Sequence, residues 1–302
     1  MLIEKQITAR DGHKIDVYIW QNEHPKAWVH INHGMAEHAL RYNDFAHQLV
    51  ESGYAVVAHN HRGHGSSATT KLGCFNGEDN WQNILTDLEC VRDAFCSNEL
   101  PYYLFGHSMG SFIVQSFLSS NHRHVDGLIL SASNLQQTGL SQAGRFVAKI
   151  EKMRLGKDSC SPLLQKLSFG SFNKAFKPNR TEYDWLSRDT SQVDKYIADP
   201  LCGFPCSTGF WEKFLTSLVD LFSEGSLEEI QHNLPILMLG GSQDPVGMMG
   251  KGLPKLADAY KKVGQTNVTL KLYESGRHEM LNETNHQQVG SDIIDWLSRL
   301  KD

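Results

Sequence analysis

Tyr102-Tyr103-Leu104-Phe105-Gly106-His107-Ser108-Met109-Gly110 is the stretch from which the fold is read, and Phe112-Ile113-Val114-Gln115-Ser116-Phe117-Leu118 continues it. An apolar run leads into a G-x-S-x-G pentapeptide, and apolar residues at helical spacing follow. That is the pattern of a strand, a sharp turn and a helix, with a serine at the apex. The glycines on either side have no Cβ, so the backbone can turn tightly and hold Ser108 in a strained conformation. The hydroxyl then stands exposed above the end of a sheet. The pentapeptide recurs by chance in unrelated chains, and its strand–turn–helix context is what gives it weight.

The same rhythm extends outward in both directions. Glu4–Ala9 and Lys14–Trp20 read as a hairpin about Asp11-Gly12. Trp28-Val29-His30-Ile31-Asn32 is a short buried strand ending at His33-Gly34, and a helix from about Arg41 to Ser52 stops at Gly53. Strand Tyr54–Ala58, helix Trp81–Ser97 and strand Gly127–Ser131 follow. This alternation predicts an α/β fold with a mostly parallel sheet and helices on both faces. From Asn134 to Asn233 the alternation stops, and it resumes with strand Ile236–Leu239, helix Leu253–Val263, strand Val268–Tyr273 and a last helix near Gln288–Leu300. Roughly a hundred residues are too many for a plain loop. They are expected to form a largely helical cap over the carboxyl edge of the sheet. The expected organisation is a core from residues 1–133 and 234–302, with the cap at 134–233.

At 302 residues, with 40% hydrophobic and 21% charged residues, the composition is that of a globular protein with a sizeable core. A net charge of −5 speaks against nucleic-acid binding and against strong attraction to anionic membranes. Neither a signal-peptide pattern at Met1–Gln6 nor a membrane-length apolar run is seen. The six cysteines lack the spacing of a disulfide scaffold, so a cytoplasmic protein with reduced thiols is expected.

A serine hydroxyl needs a base to become a nucleophile, and the base needs an orienting carboxylate. Both are expected after the serine, each beyond a strand end. Strand Ile236–Leu239 runs into Gly240-Gly241-Ser242-Gln243-Asp244-Pro245, which puts Asp244 on such a loop, although an aspartate before proline is also an ordinary turn residue. The last strand leads to His278 in Glu274-Ser275-Gly276-Arg277-His278-Glu279. His278 is the expected base, with His286 as its nearest rival among the 15 histidines. The oxyanion of an acyl-transfer intermediate needs amide donors. The N–H of Met109, next to the serine, and that of Met35, in the loop His33–His38, are the candidates.

Two further clusters carry less. His59-Asn60-His61-Arg62-Gly63-His64 is nearly a zinc-binding H-x-H-x-D-H loop, but Gly63 stands where the aspartate belongs and no downstream ligand set accompanies it. Cys202 and Cys206 are a pair without a second pair. No metal site is expected.

With Ser, Asp and His in this order, the chain resembles an α/β-hydrolase, and most of all the monoacylglycerol lipase and lysophospholipase branch often grouped with serine aminopeptidases. The matching pieces are His33–His38, His61-Arg62-Gly63-His64-Gly65, Gly106–Gly110, Gly241–Pro245 and Gly276–Glu279. They span nearly the whole chain in order. The resemblance implies Ser108, Asp244 and His278 as a triad, Met35 and Met109 as oxyanion donors, and a structural use of the His61–Gly65 loop. Asn60 stands where the family often has aspartate, which is expected to change loop hydrogen bonding rather than chemistry.

The expectation is a cofactor-free serine esterase acting through an acyl-enzyme on a small-molecule ester or lipid with one acyl chain, a monoacylglycerol or lysophospholipid. Phe210, Phe214, Leu218 and Phe222 share a helical face, and Phe210 and Phe214 are the candidate substrate contacts, although such stripes also pack cap against sheet. At most a transient membrane-surface contact is expected, and oligomeric state is left open. A small-ester carboxylesterase, an aminopeptidase with Glu37 or a cap carboxylate holding the amine, a carbon–carbon hydrolase and a non-catalytic binding protein remain as alternatives.

Overall fold

The computed structural model describes residues 1–68, 71–75, 80–121, 123–136 and 138–300. Among these, eight strands form one sheet: β1 (Leu2–Thr8), β2 (Lys14–Trp20), β3 (Trp28–Asn32), β4 (Ala55–His59), β5 (Tyr102–His107), β6 (Gly127–Ser131), β7 (Ile236–Gly241) and β8 (Val268–Tyr273). Their order across the sheet is β1-β2-β4-β3-β5-β6-β7-β8. β1 and β2 form the hairpin read from the sequence, and β2 meets β4 antiparallel. All pairings from β4 to β8 are parallel.

Successive residues of a strand point to opposite faces, and here both faces are apolar. Leu104, Leu128, Leu130, Ile236 and Met238 join the core on one side. Val29, Ile31, Phe105, Ile129 and Leu237 join the core on the other. Helices α1 (Asn43–Glu51), α2 (Trp81–Phe95) and α3 (Met109–Asn121) alternate with the strands of the first part. Between β6 and β7 lie α4 (Thr138–Leu155), α5 (Pro162–Phe169), α6 (Thr190–Ala198) and α7 (Thr208–Leu221); α8 (Gly252–Lys262) and α9 (His286–Arg299) complete the chain. α2, α3, α7 and α8 bury Ile84, Ile113, Phe210 and Leu256 on the first face. α1 and α9 bury Phe45 and Ile293 on the second. This is the α/β-hydrolase fold.

The segment between β6 and β7 is helical, with caps that its sequence supplies. The Ser161 and Ser207 hydroxyls accept from the Leu164 and Phe210 amides, and Asp189 caps α6. Phe210, fully buried, is one of the α7 residues that join the core beneath the sheet. The Phe210 ring lies 4.8 Å from that of Phe75 and 5.5 Å from that of His64. No helix among the described residues is long and apolar enough to cross a membrane, and all six cysteines are free thiols.

Truncation of a buried phenylalanine removes its transfer free energy and leaves a cavity. Phe210→Ala is expected to lower stability by about 3–5 kcal/mol, read from the denaturant midpoint in chemical unfolding.

Candidate active site

β5 ends at His107, and α3 begins at Met109, so Ser108 is the single residue of the turn. Its φ of +50° lies in the left-handed region, which a non-glycine residue enters at a cost and which marks functional turns. The turn is held by Ser108 N–H donating to Ser131 O at 2.9 Å and by the Ser111 hydroxyl donating to Ser108 O at 2.6 Å. Gly110 is required by close approach: a Cβ there would stand 2.1 Å from Asn32 O, on the neighbouring strand.

Asp244 follows β7 and His278 follows β8, and both are buried. The Asp244 carboxylate and His278 Nδ1 are hydrogen-bonded at 3.0 Å, and the same carboxylate oxygen accepts from Val246 N–H at 2.9 Å. Burial pushes His278 toward the neutral form. The charge and hydrogen bond of Asp244, with Glu279 and Glu37 further off, outweigh it and hold the imidazole above its ordinary value. His107, 5.0 Å from the His278 ring, is pushed down to about 4 by burial and by His278. The rival His286 lies at the start of α9, with its Nδ1 against Glu283 O.

The loop after β3 brings Gly34 against the serine: a Cβ on Gly34 would lie 3.4 Å from Ser108 Cβ. Gly34 N–H donates to the buried Glu37 carboxylate at 2.5 Å, and the Tyr42 hydroxyl donates to the same oxygen at 2.9 Å. Arg41 then links two loops. Its guanidinium donates to Glu37 at 2.6 Å and to both oxygens of Glu279, each at 2.7 Å. Burial works against both charges, but Arg41 and His107 hold Glu37 below its ordinary value, and Glu279 with Glu37 holds Arg41 above its own.

The helical insertion grips both loops. Ala36 O accepts from Gly203 N–H and from the Tyr196 hydroxyl, each at 3.0 Å. His278 N–H donates to Trp185 O at 3.4 Å and Glu279 N–H to Leu186 O at 2.8 Å. Arg277 donates to Asp184 O and, at 3.1 Å, to Ser187 O.

Ser108, His278, Met35 and Met109 line a cavity of about 1040 Å³ between the sheet edge and the insertion. Its wider part is apolar, with Phe112, Val147, Leu164, Phe214, Leu215 and Leu218 among the walls. The sequence paired Phe210 with Phe214 as substrate contacts, and here the structure corrects it. Phe214 reaches the cavity, whereas Phe210, one turn earlier on α7, is enclosed by Phe75 and His64.

The His59–Gly65 loop packs. Arg62 is buried and forks onto Asp87, at 2.6 and 2.8 Å, and Asp11, at 2.7 and 2.9 Å. Asn60 Oδ1 accepts from Ala39 N–H at 3.0 Å, tying this loop to the one after β3. Burial pushes His59 to about 3 and His64 to about 4, so both are neutral packing groups at ordinary pH. Arg41 and Glu279, to which the sequence reading gave no role, join the loops after β3 and β8. Their signals were faint: Arg41 lies one helical turn beyond Glu37, and Glu279 is the neighbour of His278.

The chain belongs to the family described as Serine aminopeptidase, S33, whose profile matches residues 23–285. Over 95% of its length it is 27% identical to the monoglyceride lipase of Rattus norvegicus, covering 88% of that protein. It is 26% identical over 97% of its length to the monoacylglycerol lipase of Mycolicibacterium smegmatis, covering 96% of that chain. Among solved structures, a thermostable carboxyl esterase from Bacillus coagulans in complex with glycerol shares the fold with a TM-score of 0.90, at 24% identity, over 99% of this chain and 98% of that one. The chain is thus a serine hydrolase of the group that holds monoglyceride lipases and esterases.

Removing one partner of a buried ion pair leaves an uncompensated charge. Arg41→Met, which strands both Glu37 and Glu279, is expected to cost about 3–5 kcal/mol, measured by denaturant unfolding.

Proposed function

We propose that the protein is a monoacylglycerol-type esterase working through an acyl-enzyme on Ser108. The observation that carries this is one cavity holding Ser108, His278 and the Met35–Met109 loops at its floor under apolar walls. Ser108 Oγ attacks the ester carbonyl as His278 Nε2 takes its proton, and Asp244 at Nδ1 stabilises the imidazolium. The Met35 and Met109 amides receive the oxyanion. His278 then protonates the leaving alcohol, and water, activated by the same imidazole, releases the acid. The apolar side of the cavity suits one acyl chain, since transfer of each CH₂ from water contributes about 0.8 kcal/mol.

Glu37 is not the amine-holding group that the aminopeptidase reading needs. Its carboxylate is already engaged by Gly34, Arg41 and Tyr42, so it does not stand free to hold a peptide's amine. Phe146, Ile150 and Met153 on α4 and Leu163 and Leu167 on α5 are exposed apolar groups. Leu167 also lines the cavity. They favour transient contact with a lipid surface from which substrate enters.

Ser108→Ala is expected to fold normally and to lose about a million-fold in turnover. The check is hydrolysis of p-nitrophenyl esters from acetyl to dodecanoyl, with parent activity peaking at medium or long chains; a peak at acetyl overturns the lipid assignment. Because His278 must be neutral to act as base, the acid limb of kcat/KM is expected to have its midpoint above the ordinary histidine value of 6.5. Asp244→Asn removes the charge that raises it, so the limb moves to lower pH while turnover falls about 10,000-fold; both are read from pH–rate profiles.

A further inference from the structure

His38, Asp199 and Cys202 bring one imidazole nitrogen, one carboxylate oxygen and one sulfur within 4.8 Å of one another, the one such cluster of three metal-ligating groups among the described residues. His38 belongs to the loop after β3, while Asp199 and Cys202 follow α6 in the insertion. His38 Nε2 and Asp199 Oδ2 are hydrogen-bonded at 2.8 Å. The reaction proposed above does not use this group, although Cys202 also packs against the cluster of Trp185, Leu186 and Tyr196.

We propose that His38, Asp199 and Cys202 form a binding site for a borderline divalent cation of the zinc class. Imidazole, carboxylate and thiolate together suit zinc, whereas magnesium and calcium take oxygen donors. Three protein ligands leave a fourth tetrahedral position for water. Zinc bonds of about 2.0–2.3 Å place tetrahedral donors roughly 3.3–3.8 Å apart, so Nε2 and Oδ2 part by about half an ångström and the sulfur closes in. On binding, the hydrogen bond between His38 and Asp199 is exchanged for two metal bonds, the imidazole proton resides on Nδ1, and the Cys202 thiol gives its proton to solvent. The cation thereby ties the insertion to the loop after β3. It does so two residues beyond Ala36, whose carbonyl already holds Tyr196 and Gly203.

The test is cobalt(II) added to reduced, metal-free full-length protein, with binding read without substrate, so that it stands or falls apart from the esterase assignment. The expected result is one equivalent bound with a thiolate-to-cobalt charge-transfer absorption, displaced by zinc, and a zinc-induced rise in unfolding temperature. Cys202→Ser should abolish the absorption and the thermal shift. It should also weaken binding by more than about tenfold, because even an outer-shell partner is worth about 10–100-fold in metal affinity. Asp199→Asn, should the cysteine variant fail to fold, should keep the absorption and lose affinity by a similar factor. Absence of a thiolate band in the parent, its persistence in Cys202→Ser, or unchanged affinity in Asp199→Asn overturns the proposal, as the metal then resides at other cysteines or the surface.

Discussion

The guanidinium of Arg41, held between two buried carboxylates, is the constraint on which the site depends. Its partners Glu37 and Glu279 lie on the loops after β3 and β8, and the Arg41–Glu279 pair spans 238 positions of chain. Taking three charges out of water is expensive, and an apolar replacement of matched shape is often as stable. What the group does here is geometric. The carboxylate that meets Arg41 also receives the Gly34 amide beside Ser108, and the other is the immediate neighbour of His278. The two loops that must face the serine are therefore fixed relative to each other by one planar group.

The sheet supplies the third point of reference. Parallel strands deliver Ser108, Asp244 and His278 to the same edge, because β5, β7 and β8 run in one direction. A register shift in any of them would move a side chain by a full residue. The positive φ of Ser108 persists because the Gly110 backbone packs directly on Asn32 and the Ser131 carbonyl holds the serine amide. The local cost of that conformation is met by a well-packed surround.

Much of this was legible in the sequence wherever the information was local. Strand periodicity, glycine stops and the run around Ser108 located the sheet, and Asp244 and His278 were marked by their places just past strand ends. The antiparallel contact of β2 with β4 was not readable, since hairpin chemistry says nothing about the neighbour of its second strand. Phe210 was misread for a related reason. Helical spacing tells which residues share a face of α7, but not where along the helix that face passes from the sheet to the cavity. Glu37 was readable as a free carboxylate because, although Gly34, Arg41 and Tyr42 lie within five positions of it, nothing in the spacing says that the loop turns all three onto one carboxylate. The grouping of Cys202 with His38 and Asp199 rather than with Cys206 was not readable, since His38 and Asp199 lie 161 positions apart.

The Ala36 carbonyl, accepting at once from Tyr196 and Gly203, has a consequence for any exchange of the insertion. The insertion is not an interchangeable module resting on a finished catalytic base. A chimera that places a relative's insertion on this sheet also replaces the donors that shape the loop after β3. One exchange then alters both the wall of the cavity and the loop beside Ser108, so chain-length preference and turnover are coupled through the same two donors.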